Sequence, residues 1–141
     1  PRFNDTLVTR FVNNLMLDGK KSIAFNIFYD AIDIVSEKSE GNGLETWKEA
    51  LNNVMPHVEV RSRRVGGANF QIPMQVRPDR KVTLGMKWMI LATRKRNERS
   101  MAQKLAAEIL AASKEEGAAV KKRTEVHRMA EANKAFSHCR F

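Results

Sequence analysis

Three guanidinium groups within four residues, Arg61, Arg63 and Arg64, lead into Gly66-Gly67, and Asn69 and Phe70 follow. Guanidinium forks bind phosphate through paired hydrogen bonds and stack on bases. Glycines permit close backbone approach, and an aromatic ring offers a face for a base or for packing. The chemistry on offer is polyanion binding. A charged strand edge also resists aggregation, but here the basic run continues through Arg77, Arg80, Lys81, Lys87, Arg94, Lys95, Arg96 and Arg99. Across residues 61–99 eleven Lys or Arg face only Asp79 and Glu98, so this span carries +9, equal to the net charge of all 141 residues. Residues 1–60 carry −3 and residues 100–141 carry +3. Charge focused in this way fits a surface that meets nucleic acid, because each neutralised phosphate releases condensed counterions.

Other chemistries fare poorly. Gly66-Gly67 is followed by no Gly-Lys-Ser/Thr and lies between two strand-like runs, so it is not a phosphate-cradling P-loop. His57, His127, His138 and the single Cys139 show no zinc-ligand spacing, and one cysteine forms no internal disulfide. His127 stands four residues from Arg123 and from Glu131, a spacing that reads as a structural or surface pair with a carboxylate. No nucleophile motif or paired carboxylate stands out. The expectation is a non-enzyme with no catalytic residue, metal or cofactor. No apolar run reaches the roughly 18–20 residues a bilayer requires, and Pro1-Arg2-Phe3-Asn4-Asp5 has no signal-peptide pattern. A protein that is not secreted and has no membrane partner is expected.

The elements that position these groups are mostly helical. Asp5 caps a first helix bearing Leu7, Val8, Phe11, Val12, Leu15 and Met16 at helical spacing, with Gly19 at its C′ position. Lys20 and Lys21 fill the next turn. A second helix from Ser22 places Ile23, Ile27, Ala31 and Ile34 on one face, with Phe28 and Val35 beside them, and ends near Gly41 and Gly43. A third runs from Leu44 to Val54, before Pro56. Val58, Val60, Ile72, Met74 and Val76 then alternate with polar residues, which predicts a β-hairpin arm at about 57–77. Even-numbered residues pair across such a ladder only with an odd number of loop residues, so a three- or five-residue turn is expected. Pro73 fits only an edge or a non-hydrogen-bonded position. Two isolated strands are marginal in water, so the arm should be mobile or lean on something, for example RNA. Pro78 and Asp79 open a fourth helix, on which Arg80, Thr83, Lys87 and Arg94 form one basic stripe. Ser100-Met101-Ala102-Gln103 is a capping box opening a fifth helix, ended by Gly117. A sixth spans about Val120 to Phe136, with Lys121, Lys122 and Arg123 at its start, the unfavourable end for the helix dipole. The methionines read as core gap-fillers. The fold class is mainly α: about six helices as a single domain over 1–141, with one protruding basic two-stranded hairpin.

Several blocks resemble a known family: Phe11-Val12-Asn13-Asn14-Leu15-Met16-Leu17-Asp18-Gly19-Lys20-Lys21-Ser22, Val58-Glu59-Val60-Arg61-Ser62-Arg63-Arg64-Val65-Gly66-Gly67, Gln75-Val76-Arg77-Pro78, Ala118-Ala119-Val120-Lys121-Lys122-Arg123 and Val126-His127-Arg128-Met129-Ala130-Glu131-Ala132-Asn133-Lys134-Ala135-Phe136. In order and over nearly the whole chain they resemble the bacterial-type seventh protein of the small ribosomal subunit. The resemblance implies a six-helix protein with a protruding β-ribbon. It also implies a primary rRNA binder that docks on the 3′ major domain of small-subunit rRNA, nucleates assembly of the subunit head, and carries its ribbon near exit-site tRNA and mRNA. The implied rRNA-binding residues are Arg2, Lys20, Lys21, Arg61, Arg63, Arg64, Gly66, Gly67, Arg77, Arg80, Lys81, Lys87, Arg94, Lys95, Arg96 and Arg99. Asn69, Phe70, Lys121, Lys122, Arg123 and Arg128 are candidates for tRNA, mRNA or protein contacts towards head and platform neighbours. The implied setting is the small subunit in the cytoplasm, or in an organelle with bacterial-type ribosomes. Family members usually carry a basic extension before the segment that Pro1-Arg2-Phe3 continues, so part of the family's RNA contact is expected outside this sequence.

The rival class is an architectural DNA-binding protein, since Arg-bearing β-arms enter DNA grooves. Such arms act as symmetric pairs, so that reading expects a dimer and the ribosomal reading a free monomer.

Overall fold

Asp5 Oδ1 accepts a hydrogen bond from the Leu7 N–H at 2.8 Å, and the first helix grows from this cap. The computed structural model describes residues 5–134, and the backbone alone at positions 63, 65 and 70. The order is α1 (Thr6–Leu15), α2 (Lys21–Ser39), α3 (Gly43–Val54), β1 (Val58–Val65), β2 (Ala68–Gln75), α4 (Pro78–Arg94), α5 (Met101–Ser113) and α6 (Ala118–Ala132). Among the described residues, six helices with one antiparallel hairpin agree with the expected class.

The core begins where α1, α2 and α3 bring Phe11, Phe28 and Trp47 together, with ring centroids 5.2–5.6 Å apart in tilted and edge-on pairs. α5 packs on α2 and α3, and α4 lies across α3 and α5. Met86 and Met89 of α4 are fully buried, as are Leu105 and Ile109 of α5. Gly85 makes the α3–α4 crossing close: a Cβ there would stand 2.8 Å from Met55 Cγ. α4 starts at Pro78 with Asp79 in its first turn, and Ser100 and Gln103 form the reciprocal capping box of α5 at 3.2 Å each way.

Several expectations are corrected. α1 ends at Leu15, two residues short of where a C′ Gly19 would put it, and Gly19 instead turns the chain together with Asp18. The buried face of α2 is Ala24, Phe28, Ala31, Ile32 and Val35, while Ile23 is 54% exposed; α5 and α3 select that stripe over the Ile-rich one beside it. Gly117 is the N-cap of α6, with φ +92°, and α5 stops at Ser113. α6 opens at Ala118, two residues before the expected start, and Phe136 lies outside the described residues.

The hairpin turn has two residues. Val65 pairs with Ala68, and Gly66 (φ +59°) and Gly67 (φ +82°) occupy the left-handed backbone that a tight type I′-like turn demands. The glycine pair therefore sets a register in which even positions meet odd ones, such as Val60 with Pro73 and Arg61 with Ile72. No single apolar face was needed, because the ribbon's base is covered on both sides: Ile72, Pro73 and Val76 are all buried, and α6 packs on both strands. The arm thus leans on α6 at its base. Val76 N–H donates to His57 O at 3.0 Å. By alternation, Val60–Pro73 is then a non-hydrogen-bonded pair, where a missing proline N–H costs nothing.

Candidate nucleic-acid interface

At the ribbon's base Glu59 is nearly buried and receives two guanidinium groups. Arg80 Nε lies 2.8 and 3.1 Å from its two oxygens, and Arg61 Nε and Nη2 each lie 3.2 Å from Oε1. Burial alone would raise the Glu59 carboxyl, but Arg80 and then Arg61 outweigh it and hold the group below its ordinary value. This triad ties β1 to the first turn of α4. Beyond it, Arg64 and Asn69 face one another across the ladder and are exposed, as are Gly66 and Gly67, and the backbone register sets Arg63 opposite Phe70.

The remaining candidate cations fall into two groups. Arg96 is internal: Nη1 binds Glu108 at 2.8 Å and Nε binds Glu98 at 3.0 Å. Arg123 Nη1 donates to the carbonyl of Asn53. By contrast Lys20, Lys21, Arg77, Lys87, Arg94, Lys95, Arg99, Lys121, Lys122 and Arg128 are exposed, and Lys81 is half-buried. Lys21 Nζ stands 5.9 Å over the Phe25 ring. Arg2 lies outside the described residues, as do His138 and Cys139.

The stripe read on α4 divides. Arg80 is occupied by Glu59, and Arg94 joins Lys20 beside a depression lined by exposed Leu17 and Ile23. Lys87 and Lys95 face α6, whose Lys121 and Lys122 complete a groove of about 490 Å³ lined also by Trp88 and Leu91. Arg10, outside the basic span, also belongs here; its Nη2 donates to Thr83 Oγ1 at 3.1 Å and adds a cation from α1 to the same side of α4. Glu59 and Glu108 escape sequence reasoning as organisers, since Arg80 lies 21 residues from Glu59 and Arg96 lies 12 from Glu108, and no local pattern signals either pairing.

His127 differs from expectation as well. Its Nε2 accepts the backbone N–H of His57 at 3.1 Å, and the two rings stack with centroids 5.9 Å apart. The partner is the start of the arm, where spacing along the helix pointed to a carboxylate. Burial, then the charge of Arg123 and the neighbouring His57, pushes His127 below its ordinary value, so the accepting nitrogen is held unprotonated. Among the described residues no group of three or more His, Cys, Asp or Glu is placed to hold a metal ion, and no helix is long and apolar enough to cross a membrane.

A family model described as Ribosomal protein S7p/S5e matches residues 1–134. The chain belongs to this ribosomal protein family. Among similar S7p/S5e-type proteins, one of Flavobacterium psychrophilum named small ribosomal subunit protein uS7 is 74% identical over all of this chain and 91% of its own length. A protein of the same name from Cytophaga hutchinsonii is 67% identical over the whole chain and 91% of its length. Another from Clostridium botulinum is 54% identical over the whole chain and 90% of its length. The S7p/S5e family is one of ribosomal proteins, in keeping with a binding surface made of cations and apolar faces.

Proposed function

We propose that this chain is a structural constituent of the bacterial small ribosomal subunit in the cytoplasm, and not an enzyme. In that role it binds small-subunit rRNA in the 3′ major domain as a primary binder and nucleates assembly of the head. Its ribbon points towards the exit-site tRNA and the mRNA path, and neighbouring head and platform proteins complete its surroundings. The observation that carries this reading is the S7p/S5e match along nearly the whole chain, with relatives over nine-tenths of whose length it runs named for the small subunit. The +9 net charge supports it, since cations not neutralised internally are the ones able to release counterions from phosphate.

Contacts are assigned first to the exposed cations: Lys20 and Lys21 in the turn, Arg64 with Gly66 and Gly67 at the ribbon tip, and Arg77, Lys87, Arg94, Lys95 and Arg99 on and after α4. Arg63 joins them by its place in the tip, and Arg61, Arg80 and Lys81 by their place at the ribbon base and the start of α4. Recognition is of folded RNA shape more than of sequence. The test is binding of the isolated chain to a head-domain rRNA fragment at several salt concentrations, with double-stranded DNA of equal charge as competitor. Tight binding by a monomer that DNA does not displace is the expected result. Equal affinity for both, or a dimer, would favour an architectural DNA-binding role instead.

A further inference from the structure

We propose that the groove between α4 and α6 seats one unstacked nucleotide of single-stranded or looped RNA, its base on Trp88 and Leu91 and its flanking phosphates on Lys87, Lys95, Lys121 and Lys122. This rests on the RNA-binding reading above and gives that reading a specific subsite. Lys87, Leu91 and Lys95 recur every four residues along one face of α4, with Trp88 beside them; Lys121 and Lys122 oppose them from α6. At 1.5 Å per residue Lys87 and Lys95 are about 12 Å apart along the helix, so their ammonium groups bracket the apolar floor. The groove's volume of about 490 Å³ falls in the range of small-ligand sites.

Three observations distinguish this groove from an ordinary solvated face. First, its cations are uncommitted: no acidic side chain ion-pairs with any of the four lysines among the described residues, whereas Arg61, Arg80, Arg96 and Arg123 all have internal partners. Second, the floor is apolar and open, with Leu91 43% exposed and Trp88 only half-buried, although a fully buried tryptophan, Trp47, shows that the core accommodates such rings. Third, charge and apolar surface coincide. An intact duplex offers phosphates to the lysines but keeps its base faces stacked, so it would leave Trp88 and Leu91 in water. An extruded nucleotide satisfies both, by stacking on the aromatic face and by phosphate contact. Glu125, the acid at the rim, repels phosphate locally and can accept from the amino edge of a base.

Tryptophan fluorescence tests this directly, because Trp47 is sealed in the core and Trp88 lines the groove. The probes are a short mixed-sequence single-stranded oligoribonucleotide, a perfectly paired RNA duplex of equal charge, and an oligoglutamate peptide. The single strand is expected to quench the emission and to shield Trp88 from iodide, and Trp88→Phe to abolish the response. Replacing Lys121 and Lys122 together with Ala should raise the half-saturating RNA concentration roughly tenfold at low salt, with circular dichroism unchanged. Equal quenching by the duplex would overturn the base seat, as would an unchanged half-saturation point in the lysine variant. Shielding by oligoglutamate but not by RNA would assign the groove to an acidic protein segment. RNA binding without any Trp88 response would remove this subsite and leave the proposed function standing; loss of all RNA binding would remove both.

Discussion

Glu108 is fully enclosed in the helical core, and both of its oxygens are used: Oε2 accepts from Arg96 at 2.8 Å and Oε1 from the Ala119 N–H at 3.1 Å. One carboxylate therefore joins α5, the segment after α4 and the first turn of α6, where the helix dipole also favours negative charge. Glu108→Ala would strand a buried N–H and a guanidinium, and is expected to cost about 2–3 kcal/mol in urea unfolding, less than an isolated buried pair because Arg96 keeps Glu98. Glu98→Ala should cost clearly less. His127 supplies a pH dependence at the same scale. Its folded value lies below the ordinary 6.5, so the unfolded chain binds the proton more readily. Stability from neutral His127 is complete above pH 6.5 and is lost as pH falls through the window between 6.5 and the lower folded value. Protonation would also replace the acceptor of the His57 N–H with a donor, next to Arg123. The urea midpoint should fall between about pH 7.5 and 5.5, and His127→Gln, which keeps an acceptor but does not titrate, should flatten that fall. The carboxylates of Glu59, Asp5 and Glu98 are held below their ordinary values and titrate at more acid pH, outside this window.

For the ribbon as an element, support ends where α6 and the Glu59–Arg80 contact end. Ile72, Pro73 and Val76 are buried at the base, whereas Ser62, Arg64, Gly66, Gly67, Ala68, Asn69 and Gln71 are exposed. Deleting residues 62–71 and joining Arg61 to Ile72, which already pair, through an Asn-Gly turn should leave helical circular dichroism and the unfolding midpoint nearly unchanged, since the support from α6 lies at the base of the arm. Loss of cooperative unfolding in that variant would show that the tip belongs to the core. RNA affinity should drop in the same protein if the tip arginines touch phosphate.

For the whole molecule, the cations serve two ends that composition cannot separate: some hold elements together and others face outward. Replacing Lys87, Arg94 and Lys95 together with Ala should flatten the dependence of log affinity for rRNA on log salt. The slope should shrink by up to about 0.7–0.9 for each phosphate that these side chains neutralise, with little change in stability. Arg96→Ala should do the reverse, lowering the unfolding midpoint while keeping the salt slope. Isothermal titrations at a series of salt concentrations, alongside urea unfolding, separate the two effects. A common response in all four positions would mean that the internal and external cations are not distinct.

Local signals were enough to mark where several elements begin. Asp5, Pro78 and the Ser100–Gln103 box mark helix starts because a cap or a fixed φ acts on the next turn alone, and the Gly66-Gly67 pair marks the ribbon's reversal by the backbone it allows. The concentration of charge between Arg61 and Arg99, and the class of partner it calls for, was likewise written in the sequence, because net charge needs no fold to be counted. Which stripe of α2 is buried, whether the even-to-odd register set by the glycine pair is tolerated, and which cations remain free were decided only in three dimensions. Ala24 is buried in place of Ile23 because α5 and α3 approach from one side, and even-to-odd pairing is permitted because the ribbon's base is covered on both faces. Arg80 and Arg96 find acids 21 and 12 residues away, and His127 meets His57 across 70. Periodicity reports a helix's own faces; it carries no record of which neighbour will arrive at each.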